Sequence, residues 1–443
     1  MNDLRMKGLL ELTQWKAFEK FVETIMEKEQ IPGVAVALSQ NGNIIYERGF
    51  GVRDIATLAP VTPETVFGIA SVSKSFTALA IMKLVEEGRL QVEDAVIKHL
   101  PELGFVNYTN IEDIKIHHLL SHTTGLATME RKQQLTTFDE HIHYLNEKEW
   151  TWLGKPGEYI CYNNDMFLLL GAIIEKITGE NYQDYIESLV IRPLEMSRTT
   201  YSLQALKEFD NVTTPYVLEN DKPVACPWPV LGNYGVGGGV RSTAVDLLKY
   251  GSVYVDALGK DIVHSPYTKQ MAKPVHETTA NRFYGYALHT TPHYSGVTLV
   301  EHGGGQPGVS SNFGFIPEEG IVAVVLTNLS AVSAEAIWLA AVNAALGFPI
   351  DQKRHNEPQF DMTKEQQERV VGTYVSDEGT TITIDRVDQD MTATIDGKTY
   401  QLRASDEKTL VIEPLEKPLR FFIDDNDSAW ALFIGLRMLV KRE

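Results

Sequence analysis

The pattern of apolar residues changes once along this chain, after Gly347-Phe348-Pro349, and that break does most to limit what it can fold into. Before it, stretches with helical spacing alternate with a few continuous apolar runs and long loops. After it, short alternating segments follow one another at strand length. Residues 350–364 between the two textures are polar, contain Pro358 and show no apolar period. The expected organisation is therefore a mixed α/β domain over 1–350, a linker over 351–364 and a small antiparallel β-barrel or sandwich over 365–443. A chain of 443 residues is long enough for both.

In the first part, Trp15, Phe18, Phe21, Val22, Ile25 and Met26 recur at helical spacing, with Leu12 at the head of the run. Pro32-Gly33 stops that helix. A strand over 34–38, a turn at Gln40-Asn41-Gly42-Asn43 and a partner over 44–50 form a hairpin. Residues 320–328 read as a buried strand and 334–346 as a helix behind it, with Ser333 as its N-cap. In the tail, strands are expected over 380–384, 391–395, 399–402, 409–412, 420–423 and 430–433, with Asp396-Gly397 as a hairpin turn.

Composition excludes several classes. Apolar residues make up 43% and charged ones 22%, an ordinary globular balance. The formal charge of −19 opposes binding to nucleic acid or to an anionic membrane. Two cysteines, Cys161 and Cys226, cannot build a disulfide framework or a cysteine zinc site, and two free thiols are the simpler expectation. No run approaches the roughly 18 apolar residues of a membrane-spanning helix. The N-terminal apolar stretch is too short for a signal-peptide core, so a cytoplasmic location is expected, or an extracellular or envelope one if a leader was removed.

Three constellations carry chemistry. The first is Ser71-Val72-Ser73-Lys74. An S-x-x-K tetrad arises by chance, and Ser405-Asp406-Glu407-Lys408 is a second instance in a polar turn of the tail. Ser71, however, precedes residues 76–85, which are apolar nearly all round, as in a buried helix. Residues three apart share a helix face, so the Lys74 amine can reach the Ser71 hydroxyl. Lost hydration favours the neutral amine, which can take the serine proton. The helix N-terminus aims N–H groups at a developing oxyanion.

The second is Tyr162-Asn163-Asn164, ahead of an apolar helix over 167–177. Tyr108-Thr109-Asn110 and Tyr144-Leu145-Asn146 repeat the tripeptide pattern, so position rather than sequence singles it out. Tyr162 can relay a proton if an ammonium lowers its pKa, and Asn164 can bind a substrate amide. Alternatively, Asn164 is a helix N-cap and Tyr162 a packing residue. The third is Glu301-His302-Gly303-Gly304-Gly305-Gln306-Pro307-Gly308, read as a glycine-rich hairpin on a sheet edge. Its backbone can approach a ligand closely, and His302 can hold a carboxylate or assist proton transfer. A glycine-rich turn with a surface histidine is the simpler alternative.

With Gly68-Ile69-Ala70, the run His118-Leu119-Leu120-Ser121-His122-Thr123-Thr124-Gly125-Leu126 and the run Gly237-Gly238-Gly239-Val240-Arg241-Ser242-Thr243-Ala244-Val245-Asp246-Leu247, these motifs resemble the serine β-lactamase and penicillin-binding protein superfamily. The likeness is to its class C branch of carboxypeptidases, D-aminopeptidases and esterases, over about 15–350. It implies an antiparallel sheet covered by helices plus an all-helical lobe, and the tail is similar to a lipocalin-like barrel. It implies Ser71 as nucleophile, Lys74 as its base, Tyr162 as second proton-transfer group and Asn164 as substrate contact. His302 and Gly304 stand where many relatives have Lys-Thr-Gly, and the likeness implies the N–H groups of Ser71 and Gly305 as the oxyanion hole. The implied enzyme is a serine hydrolase acting through an acyl-enzyme on a β-lactam, a D-amino-acid peptide or a small ester. It needs no cofactor or metal, and its partner is a small-molecule or peptide substrate, with a homo-oligomer allowed. Histidine in place of the motif lysine shifts weight from β-lactams toward peptides, amides and esters. The rival is a non-catalytic penicillin-binding or scaffolding relative that keeps the pocket.

Overall fold

A computed structural model describes residues 2–255, 262–388 and 390–442, with side chains from residue 13 onward. Met1 and the Leu12 side chain lie outside the described residues. The chain divides into two compact units. The first comprises Met1–Val92, Leu170–Val275 and Arg282–Arg354, and the second Glu93–Leu169, His276–Asn281 and His355–Glu443.

The first unit is organised by an antiparallel sheet. Strand β1 (Gly33–Gln40) has β2 (Asn43–Asp54) on one side and β8 (Ile321–Thr327) on the other. Beyond β2 lies the short β3 (Ala59–Pro60). Beyond β8 follow β7 (Val309–Ile316), β6 (Val297–Gln306), β5 (His289–Tyr294) and β4 (Arg282–Tyr284). The expected turn after β1 is present, with Asn41 and Gly42 both at positive φ, as a two-residue hairpin loop requires. Every residue of β8 is buried, and all but Gln40 of β1, because helices cover both faces.

On one face α1 (Asn2–Glu29) and α6 (Ala334–Leu346) pack with Val34, Val36, Leu38, Ala323 and Val325. The Trp338 indole donates to the Ala323 carbonyl at 2.9 Å. On the other face α5 (Ala244–Val255) sets Tyr254 flat on Phe315, with ring centroids 4.6 Å apart. Helix α2 (Ser73–Glu86) packs behind it, Phe76 stacked on Tyr250 at 3.8 Å. Each such buried aromatic or aliphatic side chain contributes roughly 1.5–3 kcal/mol. This is the force that holds α2, and with it the S-x-x-K tetrad, in place. One expectation is corrected here. Ser333 precedes α6, but its hydroxyl makes no cap; it donates to Glu29 at 2.5 Å.

The second unit contains α3 (Ile116–Ser121), the start of α4 (Asn164–Thr178) and the closed barrel. The barrel strands are β9 (Gly372–Val375), β10 (Thr381–Val387), β11 (Asp390–Ile395), β12 (Lys398–Asp406), β13 (Thr409–Ile412), β14 (Lys417–Ile423), β15 (Ala429–Ile434) and β16 (Arg437–Lys441). The Asp396-Gly397 turn joins β11 to β12, both residues at positive φ. Tyr374, Ile382, Ile384, Leu410, Leu419, Phe421 and Leu432 fill the interior. Pairing of Tyr374 with Lys441 and of Val375 with Val440 closes the ring. Ser405 is therefore a strand residue, not part of a polar turn. Helix α7 (Lys364–Val370) precedes the first strand, with Thr363 and Gln366 as a capping box.

Candidate active site

The nucleophile candidate sits on a strained turn. Residues Ala70–Val72 form a single 3-10 turn leading into α2, and Ala70 has φ +45. A left-handed alanine costs about 1–2 kcal/mol, so the surroundings must hold it. They do so through the Ile69 backbone. Its N–H donates to the Val240 carbonyl at 3.1 Å, and its carbonyl accepts from Ser311 Oγ at 2.8 Å. Ala70 and Val72 are buried, whereas Ser71 between them is partly exposed.

Lys74, one turn on, is buried, with 1% of its surface exposed. Its Nζ donates to Ser71 Oγ at 3.4 Å and to the Gly237 carbonyl at 3.0 Å. The serine contact lies at the long end of hydrogen-bond range. The Gly237 segment also receives α2 elsewhere: Ser73 Oγ accepts from the Val240 N–H at 3.1 Å, and Thr77 Oγ1 donates to the Val236 carbonyl at 2.7 Å. In the sequence this glycine run carries only the resemblance. Its role as the lysine's acceptor was not legible there.

The glycine-rich motif lies on β6, and the expected edge position needs correction. β6 is interior over its first half, pairing with β7 on one side and β5 on the other. Pairing with β5 ends at His289–Glu301, whereas pairing with β7 runs on to Gln306–Val309. Among the described residues, only the second half of the strand thus offers a free side. A Cβ on Gly304 would stand 2.3 Å from the Ile69 carbonyl and 2.3 Å from Ser311 Oγ, so only glycine lets this strand lie against the nucleophile turn. At Gly305 a Cβ would meet open space.

His302 is buried. Its Nδ1 is 2.6 Å from the Gly303 carbonyl and its Nε2 2.9 Å from the Tyr284 hydroxyl. A carbonyl only accepts, so Nδ1 carries the proton and Nε2 accepts from the tyrosine. Burial first, and the neighbouring Lys74 second, push its pKa down to about 3. The ring is neutral at pH 7.

The tyrosine candidate belongs to the second unit. Its backbone is fixed by His122, which ends α3 in the left-handed region at φ +57. The His122 carbonyl accepts from the Cys161 N–H at 2.9 Å, and its Nδ1 accepts from the Asn163 N–H at 3.2 Å. Its ring packs on Tyr162 with centroids 4.0 Å apart. Asn163, not Asn164, caps α4: its Oδ1 accepts from the Met166 N–H at 3.0 Å. Asn164 opens the helix and is partly exposed. The signal for His122 was its place in the quoted run 118–126. Cys161 and Cys226 are both free thiols.

Thus Ser71, Lys74, His302, Gly304 and Gly305 lie in the first unit, and Tyr162 and Asn164 in the second. Among the described residues no helix is long and apolar enough to cross a membrane.

Comparison with known proteins places these observations. A family model described as Beta-lactamase matches residues 18–346. Penicillin-binding protein 4* of Bacillus subtilis (strain 168) is 26% identical over 438 residues, covering 93% of this chain and 94% of its own. Protein flp of Staphylococcus aureus (strain MW2) is 29% identical over 321 residues, which are 70% of this chain and 62% of that relative's length. The octameric penicillin-binding protein homologue from Pyrococcus abyssi aligns with a TM-score of 0.71 at 28% identity, covering 96% of this chain and 99% of that one.

Proposed function

The chain belongs to the β-lactamase family, and from that premise we propose that it is a serine hydrolase that opens amide or ester bonds through an acyl-enzyme. The observation that carries this reading is the buried Lys74 amine within hydrogen-bond range of the partly exposed Ser71 hydroxyl. As Ser71 Oγ attacks the carbonyl carbon, its proton passes to Lys74, with Tyr162 as the second proton carrier. The carbonyl π electrons move onto oxygen, where the N–H groups of Ser71 and Gly305 receive the charge. One such donor is worth about 10²–10³ in rate. The tetrahedral intermediate collapses, the leaving amine or alkoxide takes the proton, and the acyl group stays on Ser71. Water then repeats the attack, giving up one proton to the same base, and Ser71 is released with its hydrogen restored.

Asn164 is assigned to the substrate amide, and the backbone of Gly304 to pairing with an extended substrate. His302, neutral and hydrogen-bonded on both nitrogens, shapes the β6 backbone rather than supplying a cation. That favours D-amino-acid peptides, amides and small esters over β-lactams. Self-association belongs to the same proposal, because a relative that spans nearly the whole chain is octameric. The test is a panel of chromogenic cephalosporin, p-nitrophenyl ester and D-alanyl peptide, run with wild type and Ser71→Ala. Hydrolysis lost in the variant, with a +acyl mass adduct on the wild type alone, supports the reading. Full turnover by Ser71→Ala removes it.

A further inference from the structure

The last barrel hairpin reaches the tyrosine arm. β15 and β16 are joined by Gly435-Leu436, at φ +53 and +70. Two positive values in succession make a tight loop usually built from Asn and Gly, and leucine is unusual there. The Leu436 carbonyl accepts from the Tyr162 N–H at 2.7 Å. The next residue, Arg437, sets its guanidinium over the Tyr162 ring, 4.6 Å from the centroid. Arg437 Nε donates to Glu378 at 2.8 Å, and Arg131 stands 3.6 Å from the other oxygen of that carboxylate. Glu378 lies in the loop between β9 and β10, so two barrel hairpins build this cluster.

We propose that Arg437 is a positioning residue that stabilises the phenolate of Tyr162. The inference rests on the acyl-transfer reading, which makes Tyr162 a proton carrier. Arg131 and Arg437 share the one carboxylate of Glu378, and the guanidinium of Arg437 stands over the ring. A cation over an aromatic face is attracted to the neutral phenol and more strongly to the anion, whose charge spreads into the ring. Burial opposes the Arg437 charge, yet Glu378 and then Tyr162 hold its pKa above the ordinary value. Titratable groups against Tyr162 within this unit include His122 and the thiol of Cys161, which burial pushes up. Lys74 is the partner that the catalytic proposal assigns to it.

Ultraviolet difference titration of the full chain against Tyr162→Phe reads this one phenol without turnover. In wild type it titrates below the ordinary tyrosine value of about 10. Arg437→Gln moves the midpoint up by about one pH unit or more, and Arg437→Lys keeps most of the shift. The acid limb of kcat/KM moves upward by the same amount in Arg437→Gln. A midpoint that is unchanged in Arg437→Gln, or activity lost with no shift of that limb, overturns the proposal. If Arg437→Gln does not fold, a wild-type Tyr162 midpoint above 10 overturns it equally. Ser71→Ala separates the two readings: it abolishes acylation if the hydrolase assignment is right, and leaves the phenol midpoint displaced if Arg437 acts as proposed.

Discussion

The Gly237 carbonyl accepts from Lys74 Nζ at 3.0 Å, and a Cβ on that glycine would stand 2.7 Å from the same nitrogen. The residue that anchors the amine therefore leaves no room for a side chain. Gly304 is tighter still, its Cβ position 2.3 Å from both the Ile69 carbonyl and Ser311 Oγ.

These two glycines should respond differently to alanine. Gly237→Ala meets the end of a flexible side chain, so the fold yields cheaply while the amine moves. The expected result is a fall in kcat of about 10²-fold with Tm nearly unchanged, since ångström-scale misplacement has that effect. Gly304→Ala meets backbone and should cost about 1–3 kcal/mol of stability as well as activity. Activity assays paired with thermal melts decide; equal Tm losses would contradict the contrast.

His302 should make the fold acid-sensitive. Its folded pKa, about 3, lies below the ordinary 6.5, so between those values the unfolded chain binds a proton that the folded one refuses. Stability is then lost as pH falls from about 6.5 toward 3, by at most about 5 kcal/mol. His118, pushed down to about 4 by burial first, acts in the same direction. Denaturant melts at pH 7 and 4.5 should therefore show a smaller acid loss in His302→Gln than in wild type. The His118 contribution cancels in that comparison. Parallel losses would show that the imidazole does not stay neutral.

Ser333 and Glu29 should be coupled. The serine donates through Oγ at 2.5 Å and through N at 2.7 Å to the two carboxylate oxygens, tying α6 to the end of α1. A double-mutant cycle of Ser333→Ala and Glu29→Gln should give a coupling of roughly 1–2 kcal/mol. A capping role, which would leave Glu29 uninvolved, predicts none.

Leu436 carries its strain in a turn that asparagine tolerates better. Leu436→Asn should stabilise the barrel by up to about 1 kcal/mol, and Leu436→Val should destabilise it, as read by thermal melts. The opposite order would mean that the leucine side chain, not the backbone, decides.

Much of this arrangement was legible in the residues. Asn41-Gly42 and Asp396-Gly397 announced their hairpins because few other pairs adopt two positive φ values. The bounds of α6 followed from its apolar period and Gly347, which ends it at φ +74. The barrel's first and last strands carry no comparable signal. Gly372–Val375 is only four residues long, and Arg437–Lys441 begins and ends on charge. What pattern cannot carry is partnership across sequence distance. The apolar run after Ser71 foretold a buried helix, but not that Gly237 receives its lysine. Tyr162-Asn163-Asn164 foretold a helix start, but Asn163 rather than Asn164 took the cap. For His302 the sequence offers a carboxylate holder, a proton-transfer aid or a surface residue, and nothing in it shows the burial between Tyr284 and Gly303.

The position of β1 between β2 and β8 has a consequence for synthesis. Val34 pairs with Phe50 almost at once but with Thr327 only after roughly 290 more residues, which at 5–20 residues per second is about 15–60 s on the ribosome. Through that interval a strand that is buried along nearly its whole length has one naked edge. A nascent chain of this design is at its most vulnerable to clumping before β8 emerges, and holdase chaperones should find it then.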